Sequence, residues 1–195
     1  MTGLAVWNES HVGVKFDDPL IAITPYVACL EQWNYWIWVT PWLLGVAALL
    51  IRDPDEGARM LWNSGIVSVL RGIIVTAACL GPVRGPDVNA ALPWDASLWW
   101  QVTSQILNPL SVFFGDSAHV WLTKDTLMSG HTSSTMLLVL HAHRHPDLRR
   151  WLIAAHLLVV ACVILGHVHY SIDVVVAWIV TYVTFRATRP STSSA

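Results

Sequence analysis

The sequence predicts an all-α, polytopic membrane helix bundle of five transmembrane helices, or six if Pro19–Leu30 enters the bilayer fully. Three observations carry that reading. Apolar residues fill 54% of the 195 positions, whereas Asp, Glu, Lys and Arg together fill only 12%. The apolar residues are collected into runs close to the length needed to cross about 30 Å of hydrocarbon. Several of the twelve tryptophans stand near the ends of those runs, where amphipathic rings sit at membrane–water interfaces.

The elements follow in order. Residues 1–34 are mixed and read as an N-terminal interfacial segment. Within it Pro19–Leu30 is apolar but short, broken by Pro25 and closed by Glu31. The bundle is expected over 35–188. Tyr35–Ile51 is continuously apolar, with Pro41 as a candidate kink. A polar turn over 52–59 separates it from Met60–Leu80, which carries Arg71 near its middle and stops at Gly81-Pro82. Val83–Leu127 is long and non-spanning; Trp94–Phe114 within it reads as an amphipathic interfacial helix. Three further spans are expected at Ser129–His143, Trp151–Val168 and Tyr170–Phe185, followed by a flexible tail over 189–195.

Charge and cysteine usage narrow the function classes. A formal net charge of −2 without a basic run excludes a nucleic-acid binder. Cys29, Cys79 and Cys162 lie in apolar sequence without paired spacing and read as unpaired thiols. The N-terminus carries Glu9, Asp17 and Asp18 and lacks a basic region before an apolar core, so no cleavable signal is expected. Alternating spans put Arg52, Arg59, Arg144, Arg149, Arg150, Arg186 and Arg189 on one side, against Lys15, Arg84 and Lys124 on the other. The arginine-rich side is then cytoplasmic. Two polar motifs, Ser129-Gly130-His131-Thr132 and His169-Tyr170-Ser171-Ile172-Asp173, would both open spans from the opposite, extracytoplasmic or lumenal face.

Ionisable residues at such positions mark a site. His169 and Asp173 are four apart, one helical turn, so the carboxylate can orient the imidazole and leave Nε2 as a lone-pair donor. Gly130 permits close backbone approach, and free N–H groups at a helix start attract phosphate. Two histidines, one oriented by an acid and one beside an anion cradle, suit phosphoryl transfer through a phosphohistidine.

Ser-Gly-His-Thr with Asp125 four residues before the serine, then His-Tyr-Ser-Ile-Asp-Val, resembles the sphingomyelin synthase branch of the type-2 phosphatidic acid phosphatase superfamily. Arg71 followed by Leu80-Gly81-Pro82 extends the likeness faintly into the first half. The resemblance implies His169 as nucleophile, Asp173 as its orienting acid and His131 as proton donor to the leaving group. The superfamily's phosphatases add Lys-x6-Arg-Pro and a Ser-Arg before the nucleophile; here Cys162-Val163 stands at the second place and no Lys-x6-Arg-Pro occurs. His167-Val168-His169 stands where members of the synthase branch often carry His-Glu-His.

The remaining candidates keep two readings each. Arg71 is either a clamp on substrate phosphate or half of a buried ion pair. Ser129 and Thr132 suit both a helix cap and a phosphate contact. Asp125 complements a helix dipole or stands near the phosphate site. Tyr170 is a secondary site candidate, and His167 reaches His169 only if the helix bends. His141, His143 and His145 resemble a metal tract but sit among arginines that suit anionic lipid. Trp94, Trp99 and Trp100 anchor the interface or line a headgroup pocket.

The expected activity is lipid-to-lipid transfer: a phospholipid donor, and ceramide or diacylglycerol as acceptor. If water is the acceptor, the same site makes a lipid phosphatase or a phospholipase of the C type. No cofactor or metal is expected, and self-association is left open.

Overall fold

The computed structural model describes residues 2–107, 123–124 and 126–189. Eight α-helices and no named strand occur among them. Helix α1 spans Thr2–Glu9, α2 Pro19–Ile23, α3 Ala28–Arg52, α4 Pro54–Ala78, α5 Ala96–Leu107, α6 Gly130–His141, α7 Pro146–Leu165 and α8 Ser171–Ala187. Each long helix begins where the chain supplies a stop for its predecessor. Asp53 both closes α3 and caps α4, its Oδ1 accepting from Glu56 N–H at 3.1 Å, and Pro54 opens the helix where no N–H is needed.

Helices α3, α4, α6, α7 and α8 form the bundle, with α6 in contact with the other four. Leu49, Met60, Met128, Leu138, Leu152 and Ala177 fill its centre. Its outside is also apolar: Leu43, Leu44, Ile51, Trp62, Val69, Ile73, Leu157, Leu158, Ile179 and Val183 are all exposed. Apolar surface of that extent fits a lipid environment and not water, and the chain is a membrane protein.

Among the described residues three helices, α3, α4 and α7, are long and apolar enough to cross a membrane. Two of the five expected spans are shorter. Helix α6 has 12 residues, about 18 Å, and α8 has 17, about 26 Å at 1.5 Å per residue. Both start at the depth of the histidine motifs, and α6 carries Thr132, Ser133, Ser134 and Thr135 in succession. An interior helix surrounded by others needs no continuous apolar surface, so hydropathy alone overstates its likeness to the lipid-facing helices.

The sixth span does not form: Pro19–Leu30 is divided into the five-residue α2, an extended link and the first turn of α3. Helix α3 starts ahead of Tyr35 and continues through Pro41, which leaves the Ile37 carbonyl without its usual donor. The expected Trp94–Phe114 helix is seen as α5; its last residues fall outside the described ones.

The N-terminal segment is fastened beneath the connection that leads into α6. Lys124 is fully buried. Its Nζ meets Asp87 Oδ1 at 2.8 Å and donates to the carbonyls of Glu9 and His11 at 2.8 and 2.5 Å. Asn8 and Glu9 bond the Lys124 backbone in return. Gly13 lies against Gly81, where a Cβ would come within 2.5 Å of backbone, and Val14 N–H reaches Cys79 O at 2.8 Å.

Candidate active site

Helix α7 ends at Leu165 and the chain reverses through Gly166, His167 and Val168, whose N–H reaches back to Val163 O. The reversal needs His167 in the left-handed region, φ 49°. That conformation directs its ring away from His169: Nε2 lies 3.1 Å from Thr24 O and the ring meets Tyr26. The turn then delivers His169 immediately before α8.

His169 Nδ1 lies 3.0 Å from Asp173 Oδ2. The same oxygen accepts Tyr170 N–H at 3.1 Å, and Oδ1 accepts Leu127 N–H at 2.8 Å. A carboxylate already holding two N–H groups is an acceptor toward the imidazole, so Nδ1 carries the proton and Nε2 the lone pair. Both side chains are buried, Asp173 completely. Leu127 adopts φ 71°, a strained conformation for leucine held by that bond to Asp173. Asp173 O also accepts Ser129 N–H at 3.2 Å. One aspartate therefore ties the two motifs together.

Ser129 caps α6. Its Oγ accepts Thr132 N–H at 3.2 Å and the Thr132 hydroxyl at 3.0 Å, and both residues are fully buried. Their hydroxyls serve the cap; Ser133 and Ser134 face the open space instead. The N–H groups of Gly130 and His131, freed by the helix start, have no partner among the described residues. His131 extends toward His169, ring centroids 5.7 Å apart.

Arg71 comes to this point from α4. Its Nε donates to Met128 O at 2.8 Å. A Cβ on Gly130 would lie 3.1 Å from its Cζ, so glycine lets the guanidinium rest against the start of α6. The Asp173 oxygens accept from the three N–H groups named above.

A cleft of about 350 Å³ opens beside these groups between α3, α4 and α6. Arg71, Gly130 and His131 are at one part of its wall; Trp38 and Trp42 line it from α3, Ser64 and Ser68 from α4. Trp38 meets the His131 ring edge-on at 4.9 Å and donates to Ser134 Oγ at 2.7 Å. Asn34 places its amide 3.4 Å from His131 Nε2. The amide offers a donor or an acceptor according to which way it is turned, so it can hold either protonation state of that nitrogen.

Asn34, Trp38 and Trp42 escape a motif reading, although a signal exists. They recur every four residues on α3, and Ser64, Ser68 and Arg71 follow one another at intervals of four and three on α4 and so also share one helix face. Trp94, Trp99 and Trp100 do not line the cleft; Trp94 bonds Asn89 O and Trp100 is exposed. Tyr170 is buried and donates to the carbonyls of Gly81 and Pro82. Asp125 lies outside the described residues. The three histidines of the α6–α7 turn separate: His141 bonds Glu56, His143 meets Arg189 and His145 faces Asp53.

Residues 124–190 match the family model described as PAP2 superfamily C-terminal. No curated protein and no solved structure matches the chain. The matched stretch holds both histidine motifs and α6 to α8, while Arg71, Asn34 and the cleft tryptophans precede it. It supports the type-2 phosphatidic acid phosphatase superfamily, and with it an enzyme of lipid phosphatase or phosphotransferase type.

Proposed function

We propose that the protein moves a phosphorylated headgroup from a phospholipid to a lipid hydroxyl, as in the sphingomyelin synthase branch, through a phosphohistidine. The observation that carries this is the pairing of an acid-oriented His169 with His131 across 5.7 Å, beside a cleft walled by Arg71.

In the first half-reaction His169 Nε2 attacks phosphorus as the bond to the donor's diacylglycerol oxygen breaks, and His131 gives that oxygen a proton. Asp173 stabilises the positive imidazole that forms. In the second, the acceptor hydroxyl passes its proton to His131 and attacks phosphorus, and the P–N bond breaks. Arg71 and the N–H groups of Gly130 and His131 hold the charge on the phosphoryl oxygens. The active-site end faces the extracytoplasmic or lumenal side, because the arginine-bearing turns meet at the other end.

Transfer is favoured over hydrolysis by the apolar cleft wall. Trp38, Trp42, Val67 and Leu137 line it, and exposed Ser68 brings it to the lipid-facing surface. A dry, laterally reached site protects the phosphohistidine from water. Purified protein given headgroup-labelled phospholipid should release label slowly alone, and adding ceramide or diacylglycerol should divert it into a new phospholipid. If every acceptor leaves the label in water, and phosphatidic acid yields free phosphate, the enzyme is a hydrolase using the same residues.

A further inference from the structure

A second cavity, about 260 Å³, lies at the opposite end of the bundle, between the first half of α4, the end of α6 and the end of α8. Asn63 is eight residues from Arg71 on α4, roughly 12 Å along the axis, so the two cavities occupy different depths. The proposed transfer reaction uses none of the second cavity's residues.

Its floor is a buried polar chain. His141 Nδ1 lies 2.8 Å from Glu56 Oε1, and Asn63 Nδ2 lies 3.1 Å from His141 Nε2. The carboxylate fixes the proton on Nδ1, which makes Nε2 an acceptor and requires the Asn63 amide to donate to it. The amide oxygen is thereby turned away from His141. Asn63 is 2% exposed, and its Oδ1 has no partner among the described residues. A buried acceptor left unpaired is costly, and the group that would satisfy it is a donor.

The mouth is cationic. Arg59 and Arg189 both line it. Arg189 is held over the Phe185 ring, 4.7 Å from the centroid, with its NH2 2.9 Å from His143 Nε2. Among the described residues the one carboxylate in the wall, Glu56, is engaged by His141 and, at 3.5 Å, by Arg59. Two guanidiniums at the rim and an acceptor at the floor call for an anion that carries a hydroxyl.

We infer that this cavity is a second, non-catalytic site for a hydroxylated phosphate ester, with phosphate oxygens on Arg59 and Arg189 and a hydroxyl donating to Asn63 Oδ1. The ester is either free, as glycerol phosphate, or the headgroup of an anionic lipid such as phosphatidylglycerol.

Calorimetric titration of the full chain in detergent tests this with glycerol 1-phosphate, ethyl phosphate and dioctanoyl phosphatidylglycerol. Glycerol 1-phosphate should bind at least tenfold more tightly than ethyl phosphate, which has the anion without the hydroxyl. Asn63→Leu should erase that preference. Arg59→Gln/Arg189→Gln, altered at the half-exposed rim, should weaken glycerol 1-phosphate at least tenfold, while Arg71→Ala, in the catalytic cleft, should leave the preference for glycerol 1-phosphate over ethyl phosphate intact. Tighter binding of the lipid than of glycerol 1-phosphate identifies a membrane headgroup as the source, and equal binding identifies the free ester. Equal affinities in the wild type and the double arginine variant, or no preference for the hydroxylated ester in the wild type, would overturn the assignment.

Discussion

Asp173 shows how much of this site depends on one side chain. Its two oxygens accept from His169, Tyr170 and Leu127, and its carbonyl accepts from Ser129. Asp173→Asn keeps the shape but presents an amide, whose NH2 cannot accept the His169 proton. The imidazole then turns to the wrong tautomer and loses its Nε2 lone pair. Turnover should fall by about 10³–10⁴-fold while circular dichroism of the purified variant stays that of the wild type. Gly130 makes a complementary case. Alanine is the better helix former, but its Cβ would press on the Arg71 guanidinium. Gly130→Ala should leave thermal stability unchanged or raised and lower kcat/KM about tenfold, close to 1.4 kcal/mol of transition-state stabilisation. A fall in stability with kcat/KM intact would show that Arg71 has no part in the reaction.

At the scale of elements, Asp18 joins the short α2 to the helix that carries Asp173. Its Oδ1 accepts Leu20 N–H at 2.9 Å and the Ser171 hydroxyl at 3.0 Å, and its Oδ2 accepts Ser171 N–H at 2.5 Å. Burial opposes ionisation of this carboxyl, but the donors from Ser171, Ile21 and Leu20 outweigh it and hold its pKa below the usual 3.8. A lowered carboxyl contributes stability that is complete above the unfolded value and lost as pH falls through the folded one. Asp18→Ala removes caps from two helices and should cost about 1–2 kcal/mol near neutral pH. The gap in thermal stability from the wild type should close as the solution is taken below pH about 3.8. A gap that persists unchanged into acid would mean that packing, and not the charged cap, accounts for the loss. The lipid-facing helices were legible because their apolarity is continuous from turn to turn. Helix α6 was legible by its motif and ends at the polar His141, where the ring pairs with Glu56 across 85 residues of sequence.

For the whole molecule, the arginine-bearing turns gather at one end, where Arg144 meets Asp53 at 3.6 Å and Arg189 meets His143 at 2.9 Å. In a background without native cysteines, Asp95→Cys and Arg149→Cys should react with an impermeant thiol reagent from opposite faces of sealed vesicles. Labelling of both from one face would refute the arrangement. His131, His169 and Asp173 lie together in the fold because both motifs open helices at the same depth. The role of Lys124 was hidden: counted as a loop charge, it is sealed under the N-terminal helix by Asp87 and two carbonyls. No local pattern announces a contact across more than a hundred residues. Lys124→Met leaves Asp87 uncompensated and should cost about 3 kcal/mol or more in detergent unfolding experiments.

The identity of the nucleophile decides the rest, and it is open to direct measurement. Purified protein mixed with phosphorus-labelled phospholipid, without acceptor, and quenched in milliseconds should carry an alkali-stable, acid-labile label on His169. The label should disappear when ceramide or diacylglycerol is added, and His169→Ala should never acquire it. A folded His169→Ala protein that turns over at the wild-type rate, or a label found on His131 instead, would contradict His169 as the nucleophile.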